Sequence, residues 1–111
     1  MTAEDFRRLA LSLPEAVEAS HMGHPDFRVG GKIFATLGYP DQGQGMVKLP
    51  VELQEMLAAA EPAVFSPVPG YWGTKGATYV RLDAAEAQSL QGALVTAWRT
   101  VAPKRLRDRA P

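Results

Sequence analysis

Residues 25–39 read PDFRVGGKIFATLGY, two β-prone runs joined through Gly30 and Gly31. Glycine tolerates the positive φ that a two-residue hairpin turn demands, so this stretch reads as a tight antiparallel hairpin. Strands are expected near 26–29 and 32–38. In the second, simple alternation puts Ile33, Ala35 and Leu37 on one face and Lys32, Phe34 and Thr36 on the other. Upstream, residues near 16–21 alternate small or apolar with polar side chains and predict a further strand. Downstream, YPDQGQG is a turn by composition, and GMVKLP reads as a fourth strand closing a meander.

Helices frame these strands. Phe6, Leu9, Ala10 and Leu13 fall at helical spacing behind Thr2, a residue suited to the N-cap, with Glu4 and Asp5 in the first turn. Pro14 ends that helix by pushing the preceding residue out of helical geometry. Pro50 opens a second helix, VELQEMLAAA, whose apolar stripe is Leu53, Met56 and Leu57. FSPVPGYWGTKG is dense in proline and glycine and predicts a long shaped loop before the strand ATYVRL. The last helix follows a D-x-x-E start at Asp83 and Glu86, and Ala87, Leu90, Leu94, Ala97, Trp98 and Val101 recur at helical intervals. Pro103 stops it, and 103–111 reads as a basic C-terminal tail.

Short turns between consecutive strands imply an antiparallel sheet, and helices with single apolar stripes must lie on one of its faces. The expectation is a single α+β domain over 1–111, a two-layer sandwich. At 111 residues, 46% hydrophobic and 22% charged, the chain has room for one core and composition for an ordinary globular one. It has no cysteine, which removes disulfides, thiol nucleophiles and thiolate zinc sites. The start MTAEDFRRLALSLPEAV carries acids and no unbroken apolar stretch, so the expected location is cytoplasmic, without a membrane partner.

The formal charge is zero, but residues 1–61 hold five Lys/Arg against nine Asp/Glu (net −4) and 62–111 hold seven against three (net +4). Such an asymmetry either marks a basic binding surface or is erased when the fold brings the halves together. No catalytic constellation is evident. The serines lie outside any G-x-S-x-G elbow, and the glycines form no phosphate loop. His21 and His24 in HMGH would need further ligands such as Glu18 or Asp26 nearby; a pair in a turn is not a metal site, and His24 beside Pro25 reads as a turn anchor. The expectation is therefore a protein that is not an enzyme, with no cofactor and no metal. Within Gly70–Gly76, Trp72 is expected to lid the core; the alternative is that Tyr71, Trp72 and Lys75 stack on bases and meet phosphates.

Five pieces in order, PE near 14, HPDFRVGGKIFATL at 24–37, VKLP at 47–50, WGTKGATYVRL at 72–82 and AWRTVAPKRL at 97–106, resemble the MmcQ/YjbR family of small bacterial proteins. The resemblance implies a CyaY-like, secretion-chaperone-like fold of the form α-β(3)-α-β(2)-α, one early strand fewer than the residues suggest. It also implies DNA binding. The family's recurrent positions fall on His24, Phe27, Gly31, Lys32, Phe34, Lys48, Trp72 and Gly73. Joined with the basic second half, it predicts a DNA-binding module making mainly non-specific phosphate contacts through Lys32, Lys48, Lys75, Arg81, Lys104, Arg105 and Arg107. The competing expectations are a protein-interaction or chaperone-like adaptor using an exposed sheet face, and a ligand pocket near His24, Tyr71 and Trp72.

Overall fold

The computed structural model describes residues 1–109. Helix α1 (Ala3–Leu11) starts on a capping box: Thr2 Oγ1 accepts from the Asp5 amide, and the Asp5 carboxylate accepts from the Thr2 amide. Four strands follow, β1 (Val17–His21), β2 (His24–Val29), β3 (Lys32–Leu37) and β4 (Gln44–Lys48). After α2 (Val51–Ala60) come β5 (Phe65–Pro67), the single turn α3 (Tyr71–Thr74) and β6 (Ala77–Arg81). A 3-10 turn at Leu82–Ala84, the long α4 (Ala87–Val101) and the short α5 (Lys104–Arg107) complete the chain. All strands pair antiparallel in one open sheet, ordered β1-β2-β3-β4-β6-β5.

The α+β class and the two-layer sandwich are as expected. Four strands precede α2, the number the residues suggest and one more than the resemblance implies. β1 and β2 both form because they are the two arms of one hairpin, turned through Met22 and Gly23. Gly30 and Gly31 turn the next hairpin with φ of 59° and 79°, and a side chain on Gly30 would meet the Pro103 ring at 2.9 Å.

Strict alternation fails once, in β3. Phe27 pairs with Ala35 but Arg28 pairs with Ile33, leaving Phe34 as the extra residue of a bulge. Phe34 and Ala35 are therefore both fully buried, and Ile33 moves to the other face. The core lies between the sheet and α1 and α4: the Phe6 and Phe27 rings sit 5.9 Å apart, and Trp98, buried completely, donates its indole N–H to the Pro14 carbonyl at 3.0 Å.

Four other local expectations change. The last helix begins at Ala87 rather than at Asp83, because the buried Leu82 draws the chain into a 3-10 turn first. The loop at 65–76 contains the edge strand β5 and the turn α3, both too short to leave a periodic signal. In α2 the buried residue is Gln54, while Met56 is exposed. The basic tail is not a solvated extension over its described part. Its residues 104–107 form α5, which anchors through the buried Leu106; residues 110 and 111 lie outside the described residues.

Candidate functional site

The sheet's two faces differ. Phe27, Ala35, Val47 and Thr78 form one cross-strand row, buried beneath the helices. The row on the opposite face is Asp26, Thr36, Met46 and Tyr79. Thr36, Met46 and Tyr79 of that row form the floor of a groove of about 500 Å³, between the β1–β2 hairpin tip on one side and α3 on the other. His21, Met22, His24 and Tyr39 line one end; Lys48, Val68 and Trp72 line the other. By register, Lys48 lies four residue steps from His24 along the strands, roughly 13 Å.

The walls are apolar and wet. Trp72 is 64% exposed, Tyr39 55% and Met22 91%. Trp72 packs edge-on against Tyr71 with centroids 5.3 Å apart, and Lys75 Nζ stands 5.5 Å from the Tyr71 ring centroid. Tyr39 meets His24 edge-on at 5.4 Å. Met22 carries a φ of 52°, a left-handed conformation that asparagine or glycine adopts more readily. Trp72 is therefore a groove wall and not the lid of the core, a role that Trp98 fills. The difference arises because Trp72 lies on α3 against β6, whereas Trp98 lies on the buried stripe of α4.

Close backbone packing fixes α3. A side chain on Gly73 would fall 1.7 Å from the Val68 carbonyl oxygen, and one on Gly76 1.8 Å from that of Leu49. Gln54, 4% exposed, donates from Nε2 to the carbonyls of Gly73 and Ala77 at 3.0 and 2.9 Å. It thereby ties α2 to both ends of the segment that follows Trp72. Gln54→Met keeps the volume and removes both bonds, so urea unfolding should show a loss of about 1–3 kcal/mol, with faster amide exchange across 71–77.

At the hairpin end, Asp26 is fully buried and held by three N–H donors. Arg28 reaches it twice, Nε to Oδ1 at 2.8 Å and Nη2 to Oδ2 at 3.0 Å, and His21 Nδ1 lies 2.8 Å from Oδ2. The Arg28 guanidinium holds the Asp26 carboxyl below its usual range against the opposing effect of burial, and His21 adds to the lowering. A depressed carboxyl pKa contributes stability above its unfolded value, lost as pH falls through the lowered one. The sequence offers Asp26 only as a possible metal ligand beside the histidines; the pairing of β1 with β2 brings His21 to it as a hydrogen-bond partner instead.

The seven cations expected to share one surface are divided. Lys48 and Arg81 lie on the open face at opposite ends of it, and Lys75 stands at the groove rim beside Tyr71. Lys32 is in register with the buried Val29, on the helix side of the sheet edge. Lys104, Arg105 and Arg107 belong to α5 in the helix layer, where Arg105 is paired with Glu15 at 3.1 and 3.3 Å. The pocket expected near His24, Tyr71 and Trp72 has His24 and Trp72 in its lining, with Tyr71 behind Trp72.

The family model YjbR matches residues 11–100. This chain belongs to the YjbR family. The YjbR match runs from the end of α1 into α4 and so includes every strand and the whole groove. Among solved structures, the chain is similar to the crystal structure of the Deinococcus radiodurans protein DR2400, which carries the DUF419 domain. The identity is 22% and the TM-score 0.76, over 97% of this chain and 86% of that one. That likeness places the YjbR chain's fold. No curated protein matches it. No helix among the described residues is long and apolar enough to cross a membrane.

Sequence reasoning about the YjbR site found Lys48, His24 and Trp72 but missed Met22, Tyr39, Met46 and Tyr79. The available signal was apolar residues on the strand face opposite the core. Met46 and Tyr79 stand in register there, on strands whose other face is already buried.

Proposed function

We propose that this chain is a DNA-binding module that takes single strands in the groove on the open face of its sheet. The observation that carries this reading is the combination of solvent-facing Trp72 and Tyr39 with Lys48 in one groove. Aromatic walls offer a stacking surface to any base, and a lysine amongst them offers a phosphate contact. Stacking requires no basic excess, in keeping with a chain whose formal charge is zero. Duplex binding through phosphates alone needs convergent cations, and the division of the seven candidates between two layers does not support it. The chain's role in this reading is binding, without catalysis.

The test is fluorescence anisotropy of labelled single-stranded and duplex DNA across a salt series. The Lys104/Arg105/Arg107 to Ala variant and Lys48→Met are measured alongside. Single strands should bind in preference to duplex, Lys48→Met should reduce the salt slope by about one unit, and the α5 variant should leave it unchanged. Preference for duplex, or a slope lost in the α5 variant, would overturn the assignment to the groove.

A second reading draws on Met22. An exposed methionine in a left-handed conformation at a hairpin tip has no local structural gain, and flexible thioethers suit protein surfaces. It supports a protein-interaction adaptor working through the same open face. Absence of strand binding at low salt, where charge effects are strongest, would favour it.

A further inference from the structure

Protonating His21 adds a positive charge to the groove that no neighbouring carboxylate is free to cancel. Asp26 is the only acid that meets the His21 ring among the described residues, and it is already engaged by the paired donors of Arg28. The cluster of His21, Asp26 and Arg28 is thus neutral with the imidazole neutral and carries one positive charge with it protonated. An ionised carboxylate only accepts hydrogen bonds, so Nδ1 carries the hydrogen and the ring is held with Nε2 as its remaining polar atom. The ring is half exposed and lines the groove.

The other groups facing this ring are few. His24 is its cross-strand partner on β2, and Tyr39 packs on His24 from the β3–β4 connection. Glu18 of β1 points to the opposite side of the strand, where it pairs with Arg7 of α1 at 2.8 Å. Lys48 sits at the far end of the groove.

We propose that His21, positioned by Asp26 and Arg28, is an anion subsite at the hairpin end of the groove, fitted to a phosphodiester oxygen and engaged when the ring is protonated. The subsite rests on the strand-binding reading for its natural ligand and gives the groove two unlike ends. A lysine ammonium differs from an imidazole in kind, because only the imidazole changes charge within the physiological range. A ligand that prefers the protonated ring binds more tightly as pH falls, and by linkage it raises the pH at which the ring loses its proton. A strand with phosphates reaching both ends of the groove is therefore held at one end constantly and at the other in a pH-dependent way.

Two measurements test this on the intact chain. The first follows the ring resonances of its two histidines by NMR from about pH 5.5 to about pH 8, with and without dimethyl phosphate, which keeps its single charge throughout. The His21 titration should move upward by about half a pH unit, equivalent to a threefold preference for the protonated ring. The signal lost in His21→Gln assigns the His21 ring, because the chain has only two histidines. The second compares oligothymidylate affinity at the two pH limits: at least about threefold tighter binding at the lower one is expected, and His21→Gln should flatten the dependence. A His21 titration indifferent to dimethyl phosphate overturns the subsite even if strands bind. A titration that responds while strands fail to bind keeps the subsite and removes the strand-binding reading. Strand binding whose pH dependence persists in His21→Gln overturns the proposal.

Discussion

Gly76→Ala is expected to destabilise the domain by about 3–6 kcal/mol, a large share of the ~5–15 kcal/mol that holds a domain of this size together. Gly76 has a φ of +101°, and an added Cβ would lie 1.8 Å from the Leu49 carbonyl oxygen. Left-handed backbone costs an alanine about 1–2 kcal/mol. Forcing two backbones apart costs about 1–3 more. The separation also strains the bond from the Leu49 amide to the Gly76 carbonyl, 3.0 Å long, worth about 1 kcal/mol. Urea unfolding should show a lower midpoint with an unchanged slope.

Two controls divide the cost. Gly31→Ala meets nothing within 4 Å at a φ of +79°, so it reports conformational strain alone. Gly73→Ala meets the Val68 carbonyl at 1.7 Å without a positive φ, so it reports collision alone. A Gly76→Ala protein no less stable than Gly31→Ala would show that the strand end at Leu49 yields. The consequence for the site is direct, because Gly73 and Gly76 flank Lys75 and Gly73 adjoins Trp72.

Trp72→Ala is expected to weaken single-strand binding about 5- to 150-fold, the equivalent of the ~1–3 kcal/mol that one base-aromatic stack supplies. Stability should stay within about 0.5 kcal/mol of the parent, because the side chain is 64% exposed and supports no core residue. The other tryptophan behaves in the opposite way. Trp98 has no exposed surface and donates to the Pro14 carbonyl, so Trp98→Ala should cost about 3–5 kcal/mol and lose binding only through unfolding. Anisotropy and urea midpoints measured together on both variants separate the two roles. Unfolding of Trp72→Ala would return that residue to the core; unchanged binding would move the site away from α3.

The sequence by itself determined what depends on near neighbours. Gly30 and Gly31 set the hairpin through the backbone angles only glycine adopts cheaply, and Pro14 and Pro103 ended helices by their rings. The 3.6-residue spacing of Leu90, Leu94, Ala97 and Trp98 specified the buried stripe of α4, because that period belongs to the helix wherever it docks. The family was legible for the same reason, since its motifs are contiguous runs. Tertiary structure decided what depends on partners distant in the chain. Only the bulge at Phe34 turned Ile33 towards the groove, only the approach of Gly73 to Val68 left Trp72 in water, and only the β1–β2 pairing brought His21 to the buried Asp26. The seven cations were visible in the sequence but their division between two layers was not. Charge is a property of each residue, whereas sharing a surface depends on which face of the sheet the helices cover, and that is settled by packing between residues as far apart as Glu15 and Arg105.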